Sequence, residues 1–156
     1  MDNNVIQKLH VEPYDFLFYT SPTIPYDFPK ERLPKSLCEV SLLTVMKCYL
    51  DFPKQSEELL RAKACHSYSH EFNQCKRRRD MAIFNEIRDW EKDKFTGLKN
   101  ENKEIYIKSL EEELNGLKND FERIPASEST AEKRWRINAD IMQTKWRIDY
   151  LKAMFT

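Results

Sequence analysis

The chain has 156 residues, a formal charge of zero and charged side chains at a third of its positions, which suits one small domain with arms and supplies no net positive charge to draw it to nucleic acid. Only Gly97 and Gly116 serve the whole length, so neither a GxGxxG nor a GxxxxGKS/T phosphate loop can be written, and the profile favours long amphipathic helices over a sandwich or an α/β sheet. No apolar run approaches the ~20 residues that span a bilayer, and MDNNVIQKLHVEPYDF is neither a secretory signal nor an arginine-rich transit helix.

Residues 1–33 are expected to form an extended arm. VEPYDFLFYTSPTIPYDFPKERLP holds five prolines, and each biases the residue before it away from the helical region. Tyr14, Phe16, Phe18, Tyr19, Ile24, Tyr26 and Phe28 lie between them, more apolar anchors than a solvated tail carries. The arm is therefore expected to order against a partner surface, with Tyr14, Phe16, Phe18, Tyr26 and Phe28 as contacts.

From Pro34 the pattern turns helical, with Leu37, Leu42, Val45 and Tyr49 on one broad stripe, until Asp51-Phe52-Pro53 ends it. Ser56, followed by Glu57 and Glu58, reads as the N-cap of a second helix. Cys65, Tyr68, Phe72 and Cys75 share one face of it, and Gly97 is its expected stop. One unbroken rod over that span would be roughly 60 Å long.

A third helix fits residues 101–122, where Ile107, Leu110, Leu114, Leu117 and Phe121 recur at threes and fours. Pro125 interrupts the pattern. Ser129 with Glu132 matches a capping box for a fourth helix. That helix carries Trp135, Ala139, Met142 and Trp146 on one stripe, with Ile137, Ile141, Ile148, Leu151 and Phe155 beside it. The last two helices are expected to fold on each other or lie together against a partner, with Trp135 and Trp146 as partner contacts.

The four cysteines form two matched pairs: CEVSLLTVMKC from Cys38 to Cys48, and CHSYSHEFNQC from Cys65 to Cys75, each enclosing nine residues. Ten residues of helix advance about 15 Å, so partners on one helix cannot bond. Two such helices packed antiparallel set Cys48 opposite Cys65 and Cys38 opposite Cys75, and equal spacing lets both bridges close together. Two staples then take the place of a thick core. Structural zinc needs its ligands within about 2.0–2.3 Å of one ion, commonly from short knuckles, which this spacing does not provide. Redox motifs favour two intervening residues, not nine, so no catalytic cysteine is expected.

His66 and His70 stand four apart on one helix face, without HExxH or an acidic ligand placed by motif, and read as polar surface residues; no metal or cofactor is expected. Lys76-Arg77-Arg78-Arg79 resembles a nucleic-acid patch, but Asp80, Glu86, Asp89 and Glu91 follow and offset it. A solvated helix face, with an anionic-lipid or acidic-subunit contact as its functional version, is the preferred reading.

The doubled C-x9-C with sixteen residues between the pairs resembles the twin CX9C, or coiled-coil–helix–coiled-coil–helix, family. The resemblance covers residues 38–75. It implies an all-α fold built on a disulfide-stapled antiparallel helical hairpin, here over 34–97, with an extended N-terminal arm (1–33) and additional C-terminal helices (98–156). It also implies residence in the mitochondrial intermembrane space, where an oxidative import machinery docks on an apolar stripe beside a cysteine; Tyr68, Phe72 and Cys75 provide such a stripe. Within that family, TIPYDFPKER (23–32) and CKRRRDMAIFNEIRDWEKDKF (75–95) are similar to the accessory subunits of the beta-subcomplex 7 type in respiratory complex I. Departures are a longer connector, Asp2 in place of a myristoylated glycine, and an end (101–156) without a counterpart. The resemblance implies a non-catalytic subunit, peripheral on the intermembrane-space side of the mitochondrial inner membrane, whose partners are other subunits of a large complex. The alternative is a soluble intermembrane-space assembly factor or metallochaperone of another respiratory complex, though copper carriers of this kind add an adjacent Cys-Cys pair that is missing here.

Overall fold

A computed structural model describes residues 21–36, 38–52 and 58–155. Tyr14, Phe16, Phe18 and Tyr19 of the arm, together with Leu37, Pro53, Ser56 and Glu57, lie outside the described residues. Among the described residues there are five α-helices and no strand: α1 (Glu39–Asp51), α2 (Glu58–Ala64), α3 (His66–Thr96), α4 (Asn100–Arg123) and α5 (Ala131–Phe155). The all-α, disulfide-stapled architecture with extra C-terminal helices is the one the sequence predicts.

The helix boundaries differ in three places. The first helix opens at Glu39, not Pro34. Cys38 sits at φ 66° in the left-handed region, which a right-handed helix cannot pass through; among the described residues before it the helical element is a 3-10 turn, Lys30–Arg32. The close of that helix is as expected: Phe52, at φ −74° and ψ 137°, takes the extended conformation that a following proline imposes. The second helix is not a single rod. It is interrupted at Cys65, whose φ −97° and ψ 5° fall in the bridge region. Hydrogen bonds cross the break, from Cys65 N–H to Arg61 O and from Ser69 N–H to Cys65 O, both at 3.0 Å.

The third difference is at the start of α5. A capping box joins Ser127 to Thr130 at the mouth of a 3-10 turn ahead of the helix, where the sequence expects Ser129 with Glu132. The Ser127 N–H donates to Thr130 Oγ1 at 3.2 Å, and a 3-10 turn over Glu128–Thr130 leads into the helix. Ser, Thr and Glu crowd this loop, so several cap matches compete and only chain geometry decides among them. Gly97 does end α3, but at φ −72°, without using glycine's left-handed freedom.

Helix α3, 31 residues and about 46 Å long, is shared by two units. Its first half pairs with α1 in the hairpin; its second half packs with α4 and α5. Phe95, Ile107, Leu110, Ile148 and Leu151 form the main buried cluster, with Leu98, Tyr106, Leu114, Tyr150 and Met154 packed around it. Leu117 and Phe121 continue the inward stripe of α4, half-buried. Phe84 of α3 meets Trp146 of α5 with ring centroids 4.5 Å apart, and Trp146 stacks on Tyr150 at 5.3 Å.

The described part of the arm does not stand away from the chain. It straps across α3 and α5, and Phe28 enters a second cluster with Ile83 and Ile87, edge-on to Trp90 at 5.4 Å. Phe28 is 4% exposed and Trp146 2%, so these two expected partner contacts belong to the chain's own core. The correction has a plain cause. An apolar side chain at regular spacing announces that it will be buried, not whose surface will bury it.

Candidate interaction site: the stapled hairpin and its strap

Both predicted bridges are present. Cys38 bonds Cys75 with Cα atoms 6.0 Å apart, and Cys48 bonds Cys65 with Cα atoms 5.9 Å apart, inside the range a disulfide spans. No cysteine is free. Among the described residues no group of three or more His, Cys, Asp or Glu side chains is placed to hold a metal ion.

The two bridges fix the register of the hairpin, setting Val45 level with Tyr68 and Ser41 level with Phe72. Tyr68 is exposed, and Phe72 and Cys75 are half-buried. On the opposite side of α1 the picture is unusual for a globular chain: α1 has no buried residue. Val40 is 78%, Leu43 62% and Leu50 78% exposed, with Leu42, Met46 and Tyr49 also exposed. The inward side of the helix is narrow, marked by half-buried Ser41, Val45 and Cys48. Concentrated apolar exposure on one element marks an interaction surface.

The strap holds the hairpin's exit against the bundle through paired polar groups. Thr23 N–H donates to Gln143 Oε1 at 3.0 Å, and Gln143 Nε2 donates back to Thr23 O at 2.7 Å; Thr23 Oγ1 also donates to Asp140. Arg79 Nη2 donates to Ser21 Oγ at 2.7 Å and to Asp80 Oδ1 at 2.8 Å, and Arg32 meets Glu86 at 2.9 Å. Lys94 pairs with Asp27 and lies 5.0 Å from the Trp90 ring centroid. The Lys94 hydrogen bond holds the Asp27 carboxyl below its ordinary range.

The basic run is thus only partly the solvated face expected from sequence. Arg79 serves the strap, and Asp80 beside it is buried. Burial pushes the Lys76 ammonium down, with the Arg79 charge adding to the effect against Asp80. Arg77 and Arg78 are exposed. His66 and His70 stack at 6.4 Å between ring centroids, and His70 Nε2 lies 2.8 Å from the Gln74 amide. Both are exposed, as the surface reading has it.

A buried polar cluster ties α3, α4 and α5 together, and the sequence reading did not find it. Arg147 Nη2 donates to Glu91 Oε1 at 2.6 Å, and its Nε donates to Oε2 at 3.0 Å. Tyr106 Oη donates to Glu91 Oε1 at 2.8 Å. Glu91 is 1% exposed. Burial opposes the Arg147 charge, but the Glu91 hydrogen bond and charge outweigh it and raise the pKa. Burial first, then the Glu91 carboxylate, raises the Tyr106 phenol well above its usual range. The arrangement holds helices together; Glu91 is committed to two donors on two other elements.

Of the other expected partner contacts, Tyr26 is fully exposed and Trp135 half-exposed. Trp135 edges a hollow of about 370 Å³ that Phe121, Ser127, Arg134 and Asn138 also line, where Arg134 lies 4.1 Å over the Phe121 ring centroid. No described helix is long and apolar enough to cross a membrane. In comparisons with known proteins, no family model, curated protein or solved structure matches this chain.

Proposed function

We propose that this chain is a non-catalytic accessory subunit of mitochondrial respiratory complex I, peripheral on the intermembrane-space face of the membrane arm, where the stapled hairpin braces neighbouring subunits. The observation that carries this reading is the pair of bridges, Cys38–Cys75 and Cys48–Cys65, in the connectivity that the twin CX9C resemblance implies. Such bridges persist in oxidising compartments. TIPYDFPKER and CKRRRDMAIFNEIRDWEKDKF point within that family to complex I. The exposed Tyr26 and Trp135 give a brace surfaces to use, and exposed Arg77 and Arg78 suit an acidic subunit or anionic headgroups. Tyr68, Phe72 and Cys75, on one side of α3, are the proposed stripe for the oxidative import machinery.

The test is migration on native gels of mitochondria in mild detergent. The chain is expected in the band that oxidises NADH, with both bridges intact by thiol labelling. A wholly monomeric pool would sink the subunit reading in favour of a soluble assembly factor. Four labelled thiols in native protein would sink both.

A further inference from the structure

The outward side of α1 carries a mirror-symmetric pattern about Leu43. Three residues to either side stand Val40 and Met46; four to either side stand Glu39 and Lys47. At 100° per residue these five positions fall within an arc of about 120°, with Leu50 near its centre. Four of the six side chains are large and apolar, and all four are exposed. The charges are opposite in sign and equally distant from the centre.

We propose that this face is an isologous contact between two copies of the chain, with α1 packed antiparallel against α1 of the partner subunit and Leu43 on the two-fold axis. Self-complementarity is what a two-fold contact demands. Rotation about Leu43 brings Val40 level with Met46 of the partner subunit, and Glu39 level with Lys47 of the partner subunit, at both ends. Leu43, Met46 and Leu50 also keep the three–four spacing of a helix–helix seam. A bilayer fits less well: interfacial helices carry Lys and Arg along the polar face, whereas α1 has one lysine against two acids. A thirteen-residue helix is about 20 Å long, so the pair is small and the dimer concentration-dependent. The contact does not rest on the proposed compartment or complex.

The experiment is sedimentation velocity on the full oxidised chain over a concentration series, without reductant. The wild-type chain is expected to pass from monomer to dimer. Leu43→Glu is expected to raise the dissociation constant by about 30-fold or more, the scale of losing a central anchor, while circular dichroism shows helix content unchanged because Leu43 is exposed. Glu39→Lys alone and Lys47→Glu alone each set like charges level with one another and weaken pairing. Mixing these two variants places Lys opposite Glu at both ends, and the mixed dimer is expected to form where neither variant pairs by itself. A wild-type chain monomeric at every concentration, a dimer indifferent to Leu43→Glu, or a mixture that fails to pair overturns the proposal. So does a monomer that floats with phosphatidylcholine–cardiolipin vesicles and loses that binding in Leu43→Glu, which assigns the face to a bilayer. Failure here leaves the native-gel test untouched, since comigration with a large complex reads a different property.

Discussion

In the hairpin, α1 buries none of its thirteen residues and is held by two covalent bridges. In the bundle, α5 buries seven residues, three of them polar, and no bridge touches it. The same chain stabilises helices in two ways, and the difference decides what each part exposes. A helix fixed by sulfur has no need to spend its apolar side chains on an internal core, so α1 can turn them outward. A helix fixed by packing must turn them in, and α5 even buries Gln143 and Arg147, which pair with Thr23 of the strap and Glu91 of α3.

Four measurements break or sharpen this contrast. The largest effect is expected in the bundle: Arg147→Ala leaves Glu91 buried without its cation and should cost about 3–5 kcal/mol in denaturant unfolding. The double variant Glu91→Leu, Arg147→Met should cost much less, because neither charge is then stranded. A cost below about 1 kcal/mol for the single variant, the level of an exposed pair, would mean the cluster is not the anchor described.

Next comes the hairpin. Replacing Cys48 and Cys65 by serine opens a loop with a sequence separation of 17 and should cost about 3 kcal/mol in the chain-entropy model. Hydrogen exchange is expected to show protection lost over α1 while α4 and α5 keep theirs. Loss across the whole chain would show the two parts to be one cooperative unit.

Tyr106→Phe removes a hydrogen bond to a buried carboxylate, expected at about 1.5–3 kcal/mol. Its pH signature is more telling. The folded-state pKa of Tyr106 is raised, so its contribution is present below the unfolded value of about 10 and is lost as pH climbs through the folded one. Wild-type stability should therefore fall more steeply above pH ~10 than that of the Phe variant; parallel curves would remove the phenol from the account. The smallest effect is a gain. A Cβ on Gly116 meets nothing within 4 Å in the middle of α4, so Gly116→Ala should add about 0.5–1 kcal/mol, seen as a raised Tm.

The features that could be read from sequence are those with local spacing. Ile107, Leu110, Leu114, Leu117 and Phe121 announce the inward side of α4, and the repeated nine-residue interval announces the bridges. The breaks at Cys38 and Cys65 left no such mark, because nothing in a cysteine's identity signals left-handed or bridge-region backbone. Glu91 and Arg147 are 56 residues apart, and each looks like an ordinary surface charge until the fold brings them together. Phe28 and Trp146 were legible as anchors, but the surface they anchor to was set by the path of the strap.

Helix α3 continues without a break from His66 beside the Cys48–Cys65 bridge to Thr96 at the floor of the bundle. The part of α3 ahead of Ile83, about 26 Å long, is a lever fixed at the bundle. Tilting it by about 5° there sweeps its far end through roughly 2 Å. Mechanical force on the hairpin is therefore delivered as torque to Ile83, Ile87 and Glu91, and whatever stiffens their seating also steadies the surface displayed at the other end.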